Sequence, residues 1–210
     1  MGNYKTASLI SSLIVASLLV GVIGCGVNKK KLRTLGAVIL VGVAAKLIYD
    51  MVIDYQTQQT SNEGKVVNKY KKLHKNLPDE PVLVEYQTSI QPGEVVNVGK
   101  EVSIVSTLEV VRSVESKTVA IQEKITIYDN EDNSKALKSL VKTVNSDTNA
   151  SGRFENRFTF KLPKGMPQGI YPVKTEVIVN GKAFQPRSSQ MQLVDNSRLS
   201  GGNRLVASLK

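Results

Sequence analysis

A mainly β fold, a two-sheet sandwich of seven strands preceded by N-terminal helices, is predicted by two patterns along the 210-residue chain. Up to residue 53 the chain holds two apolar stretches, whereas from Pro81 to Asp195 apolar residues recur at every second position, in runs broken by Gly, Pro, Asn and Asp. A third observation is Asn180-Gly181 between two such runs. Both residues tolerate the positive φ of a tight turn, which makes the pair a strong hairpin signal.

The first element follows Lys5. Residues 7–27 run without a charge, as a signal peptide or a membrane span does. The run closes on Val22-Ile23-Gly24-Cys25, which resembles the lipobox of bacterial lipoprotein precursors. That resemblance implies removal of residues 1–24 and attachment of a diacylglycerol to Cys25, with Lys29, Lys30, Lys31 and Arg33 as contacts to lipid headgroups. It departs from the common pattern at Val22, where Leu is usual, and at Ile23, where a smaller residue is usual. Gly26 carries no Asp-type retention signal, which by analogy with lipoprotein sorting favours the outer membrane. Cys25 is the only cysteine, so no internal disulfide is available.

The second apolar stretch, residues 35–53, is interrupted by Lys46 and Asp50. Its uncharged part, 34–45, is shorter than the roughly 20 residues of a span, so it reads as an interfacial, re-entrant or packed helix. Two anchors are therefore open: a lipidated Cys25, or a helical hairpin of 7–27 and 35–53 whose basic turn stays cytoplasmic. Both deliver residue 54 onward to the periplasmic side.

A helix is expected to continue from Ile48 through Met51, Val52 and Tyr55 to about residues 59–61 and to be broken at Gly64. A second helix, from Lys65 to about Lys75, aligns Val66, Val67, Tyr70 and Leu73, with Lys69, Lys71, Lys72 and Lys75 around the rest. It reads as a solvated spacer, or as a basic arm on lipid or wall polymer. The chain is thus divided into 1–24, a helical anchor and connector over 25–80, the sandwich over 81–195, and a flexible basic tail over 196–210.

Within 81–195 the predicted strands are 82–90, 102–110, 119–127, 154–162, 171–179 and 182–194, with 135–145 open between helix and edge strand. Phe154, Asn156, Phe158, Phe160 and Leu162 fall on one buried face. Seven strands at such intervals fit an immunoglobulin-like sandwich. The segment Leu162-Pro163-Lys164-Gly165-Met166-Pro167-Gln168-Gly169-Ile170-Tyr171 resembles the connection before a penultimate strand in bacterial immunoglobulin-like and fibronectin-like domains. The resemblance implies that Tyr171 anchors a corner, and it implies no ligand.

The net charge of +10 is unevenly placed. Residues 81–195 carry 14 basic and 13 acidic groups, while 1–34 carry five basic and none acidic. A nucleic-acid-binding domain would concentrate cations on its own folded face, so no nucleic acid is expected as partner. The excess beside apolar segments suits anionic lipid.

No cofactor, metal or catalytic residue is expected. Gly93 to Glu101 has the wrong glycine spacing for a phosphate loop, and Asp129, Glu131 and Asn133 lack the later ligands of a calcium loop. The single histidine, His74, has no acidic or cysteine neighbour in sequence and reads as a surface side chain. The expected role is a membrane-anchored envelope protein, not an enzyme, whose periplasmic sandwich binds a protein partner or serves a structural part. Envelope glycan binding or processing, and an oligomer of the membrane segment capped by the sandwich, are the alternatives.

Overall fold

The structure is a computed structural model that describes residues 47–48 and 50–196. Cys25, Lys29, Lys30, Lys31 and Arg33, both apolar segments up to residue 46, and the tail beyond residue 196 lie outside the described residues. No helix among the described residues is long and apolar enough to cross a membrane.

The described chain is mainly β. In order it forms β1 (Ile53–Ser61), α1 (Glu63–His74), β2 (Val82–Gln91), β3 (Val95–Asn97), β4 (Glu101–Val111), β5 (Ile121–Tyr128), β6 (Ala136–Thr143), β7 (Gly152–Lys161), β8 (Gly169–Val179), β9 (Lys182–Ala183) and β10 (Arg187–Val194). One sheet has the order β1-β7-β4-β2, and the other β3-β10-β8-β5-β6 with β9 also on β8. All pairs are antiparallel except β3 with β10.

Ten strands thus stand where seven were expected, and three differences explain the count. Leu47 and Ile48 are helical, but from Ile53 on the expected helix reaching residues 59–61 is corrected to a strand, β1, which pairs with β7 from Ile53↔Phe160 to Ser61↔Arg153. The apolar spacing 48, 51, 52, 55 suits a helix. However, Ile53, Tyr55 and Thr57 also alternate, and an open β7 edge gives that alternation a ladder and a core to join. The short β3 was not foreseen. The expected strand 182–194 is divided because Pro186, just before β10, has no N–H for a ladder bond.

Residues 136–143 resolve as an edge strand on β5. Asn180 and Gly181 make the expected hairpin turn, at φ 49° and 81°. Tyr171 does anchor a corner: its hydroxyl donates to Pro167 O at 2.8 Å while its ring is fully buried. Tyr171→Phe should therefore lower unfolding free energy by about 1 kcal/mol, the net worth of one such bond. Urea denaturation checks this, and an unchanged midpoint would remove the corner from the account.

Helix α1 begins two residues earlier than expected. Asn62 caps it by accepting from Lys65 N at 3.0 Å, so Gly64 lies inside its first turn and is no break. Val66 and Val67 are buried against Val111, with Tyr70, Leu77 and Val82 around them, whereas Leu73 is 71% exposed. The helix is thus docked on the sandwich and is not a free spacer.

Its location also differs from that of a connector. Ile53 pairs with Phe160, Gly99 N donates to Leu162 O, and Val98 N donates to Val194 O, so β1 begins and β10 ends at one end of the sandwich. That end is termed lower. Nine residues of β1 then carry the chain roughly 30 Å to the upper end, where α1 sits. Gly152 permits this path, since a Cβ there would come within 2.8 Å of Ser61 O.

Candidate functional site

The inward-facing side chains form three layers. Toward the lower end, Ile48, Met51, Ile104, Ile125, Phe158, Phe160, Tyr171 and Val173 belong to one apolar cluster. Toward the upper end, Leu108, Val110, Ile121, Phe154, Val177 and Val179 belong to a second. Between them each of four strands places a polar residue at an inward position: Ser106 on β4, Glu123 on β5, Asn156 on β7 and Thr175 on β8, all buried. Register aligns them, because Ser106 and Thr57 both pair with Asn156.

Glu123 is the centre of this layer and is fully buried. Tyr86 Oη donates to its Oε1 at 2.9 Å; Ser106 Oγ and Asn156 Nδ2 donate to its Oε2 at 2.8 and 2.7 Å. Thr57 Oγ1 in turn donates to Asn156 Oδ1 at 2.7 Å. One side chain of the second sheet thus gathers donors from three strands of the first, β2, β4 and β7. Burial raises the Glu123 carboxyl above the usual carboxylate range, and the three hydrogen bonds oppose that shift in part. The Tyr86 hydroxyl is raised by burial and by the facing Glu123, and the Tyr55 hydroxyl is pushed up to about 12, chiefly by burial.

Chemically the arrangement is a tie between sheets. Three donors converging on a buried carboxyl fix strand register, since sliding any strand by one residue would turn its polar member out and leave the others unpaired. Sequence reasoning missed Glu123 although the signal was legible: it occupies the middle of the alternation Val119, Ile121, Ile125, Ile127. An acid at an inward position must be paired, and Ser106, Asn156 and Thr175 occupy comparable positions.

A second cluster fastens α1 to the outer face of the first sheet. Glu109, nearly buried, lies 3.0 Å from Lys69 Nζ and 3.2 Å from Arg153 Nη1, and Arg153 holds Glu85 by two bonds of 2.6 and 3.0 Å. Glu63 takes Arg112 Nε at 2.9 Å and the Ser151 N and Oγ at 3.2 and 3.1 Å. Sequence spacing could not pair groups that lie 40 or more residues apart.

Other singled-out residues have local roles. His74 stacks on Tyr70 at 4.2 Å. Asp129 accepts from Glu131 N at 2.9 Å and lies 3.5 Å from Lys135 Nζ, which makes residues 129–135 a closed turn. Among the described residues no three His, Cys, Asp or Glu side chains gather as metal ligands. One surface depression of about 440 Å³ at the lower end is lined by Asn97, Lys100, Lys164 and Asp195, and one of about 190 Å³ by Lys124, Tyr128, Lys174 and Glu176. Neither includes Glu123.

No family model matches the chain. No curated protein matches it either. Among solved structures it is similar to a CARDB domain from Pyrococcus furiosus, at 12% identity over 56% of this chain and 96% of that one, with TM-score 0.35. The N-terminal domain of a Streptococcus gordonii adhesin is 11% identical over 55% of this chain and 32% of its own, at 0.34. The major pilin subunit of Bacillus cereus is 9% identical over 55% and 40%, at 0.33. Likenesses of this size carry no argument about function, and the sandwich is established by its own strand pairing.

Proposed function

We propose that this chain is a membrane-anchored protein of a bacterial envelope whose sandwich, on the periplasmic side, has a binding or structural role and is not an enzyme. The observation that carries the reading is the charge-free run of residues 7–27 ending on Cys25 and followed by Lys29, Lys30, Lys31 and Arg33. Cys25 is the lipidation site in this reading, and the four cations lie against anionic headgroups. The fold is compatible with such a tether, since β1 begins at the lower end, where the chain enters the sandwich.

The sandwich is read as immunoglobulin-like. Strands β2, β4 and β7 face β10, β8, β5 and β6, and the parallel β3 flanks β10, with β1 added beside β7. A binding or structural role is supported by where the titratable groups are used. Glu123 is sealed between the sheets, and Glu63, Glu85 and Glu109 are engaged in fastening α1 and its neighbours.

The test is the intact mass and fatty-acid labelling of membrane-extracted protein beside Cys25→Ala. Loss of residues 1–24 with acylation in the parent alone is expected. A full-length, unlabelled parent would instead require the helical hairpin as anchor, and recovery in the soluble fraction would sink anchoring altogether.

A further inference from the structure

The carboxyl of Glu123 is sealed on nearly every side. Apolar clusters close the layer above and below it, and Ser106, Asn156 and Thr175 stand on strands that have a neighbour on each side. On the β2 side Tyr86 is 5% exposed, and Arg187 Nε reaches across to donate to its carbonyl at 3.2 Å. The β1 side differs. The second sheet ends at β6, so Thr57 is exposed although its hydroxyl donates to Asn156 Oδ1, one side chain away from Glu123.

The stretch that carries Thr57 is also weakly held. Gln56 to Thr60 are all exposed, the pairing with β7 shifts register between Gln59 and Ser61, and among the described residues no strand lies on the outer edge. Few buried contacts and exposed backbone bonds mark a segment that opens locally. Its neighbours in the chain are better seated: Ile53 and Tyr55 pack on the lower cluster, Glu63 is held by Arg112, and Val66 is buried with Val111. The buried Tyr55 Oη has no partner in the closed arrangement, and it gains one from water once the stretch lifts.

We propose that Gln56–Ser61 is a gate: it lifts from β7 while the rest of the sandwich stays folded, admits water to Glu123, and lets the carboxyl pass its proton to that water. Raising the pH therefore opens this stretch before it unfolds the domain. The sign follows from linkage. Burial raises the carboxyl above its ordinary 4.5 in the closed arrangement, and no cation offsets the rise. Tyr86 and Tyr55 are the other titratable groups beside it, and Arg187 acts on Tyr86. Once hydrated, the carboxyl returns toward 4.5. Above that value each opening releases one proton, so the open fraction rises up to about tenfold per pH unit until the closed-state value is passed; below it the open fraction is constant. Arg153, Glu155 and Arg157, the β7 partners of Ser61, Gln58 and Gln56, are unchanged in a variant of Glu123 and cancel in the comparison.

The experiment is hydrogen–deuterium exchange of the full-length chain from about pH 4 to about pH 9 beside Glu123→Gln. Each peptide is compared with its counterpart in the variant at the same pH, so that intrinsic exchange cancels. Peptides covering 56–61 of the parent should lose protection by roughly three- to tenfold per pH unit over part of the range above 4.5, and those of β4 and β8 should not follow. A disulfide between Gln58→Cys and Glu155→Cys, which replace register partners, should flatten that slope. An equal loss in every strand would mean that only global unfolding reaches Glu123, and a loss centred on β2 would put the entry at Tyr86. Either overturns the proposal, as does the absence of any pH-dependent loss or a slope that survives the disulfide. If Glu123→Gln does not fold, the parent beside its crosslinked form carries the same test.

Discussion

Replacing Glu123 by Ala should lower the unfolding free energy by about 3–5 kcal/mol, since each buried donor left unsatisfied costs about 1–3 kcal/mol. The loss combines an unfilled space between the sheets with three orphaned donors, from Tyr86, Ser106 and Asn156. Glu123→Gln should stay within about 1 kcal/mol of the parent at neutral pH or exceed it, because the amide keeps the volume and carries no charge. Its oxygen accepts from Ser106 and Asn156, its nitrogen donates to Tyr86, and the Tyr86 proton is free for Thr175 Oγ1, which otherwise has no partner. If the two variants unfold at the same denaturant concentration, the cluster does not tie the sheets.

The pH dependence of that comparison has a definite sign. Glu123 is an acid whose carboxyl is raised above its ordinary 4.5 in the folded protein. Below 4.5 it is protonated in both states, and its full contribution to stability is present. Above that value the unfolded chain releases the proton while the folded protein holds it. Stability is therefore lost as pH climbs toward the folded value. The parent should lose stability relative to Glu123→Gln across that window, with the difference flat below 4.5. Exposed carboxylates whose proton affinity is lowered by hydrogen bonds, such as Glu80 beside Lys182 and Asp132 beside Ser134, act in the opposite direction in both proteins and cancel. A difference as flat above pH 4.5 as below it would mean that Glu123 ionises in the folded protein as it does in the unfolded chain.

A chain beginning at Glu63 should fail to fold cooperatively, while one beginning at Leu47 should unfold in a single transition. The shorter chain lacks Ile48 and Met51, which are 0% and 6% exposed, the Tyr55 ring 4.8 Å from Phe158, and the Thr57 hydroxyl on Asn156. Burying an apolar side chain is worth about 1.5–3 kcal/mol, so these losses approach the roughly 5–15 kcal/mol that hold a domain together. Circular dichroism during urea denaturation reads the result. Equal midpoints for the two chains would show β1 to be an ornament on a sandwich complete without it.

Most of the sandwich was legible because alternation reports burial directly. Strands β4, β5, β7 and β8 stand where Val102 to Val110, Val119 to Ile127, Phe154 to Leu162 and Tyr171 to Val179 alternate. The Asn180-Gly181 turn and the Tyr171 corner needed only local chemistry, positive φ in one case and a hydroxyl four residues from a carbonyl in the other. Residues 53–61 were misread because Ile48, Met51, Val52 and Tyr55 fit a helical period as well as Ile53 and Tyr55 fit a strand. A short segment with both periods takes whichever structure its surroundings complete.

By itself, then, the sequence determined a mainly β sandwich, its central strands and its tight turn, because each of these follows from the spacing of neighbouring residues. Only the tertiary structure decided that residues 53–61 join the first sheet, that α1 lies at the end opposite the chain's arrival, and that Glu123, Ser106, Asn156 and Tyr86 meet. Those are contacts between residues far apart in the chain. Their formation depends on which edge is open and which polar group is left unpaired once the strands have come together.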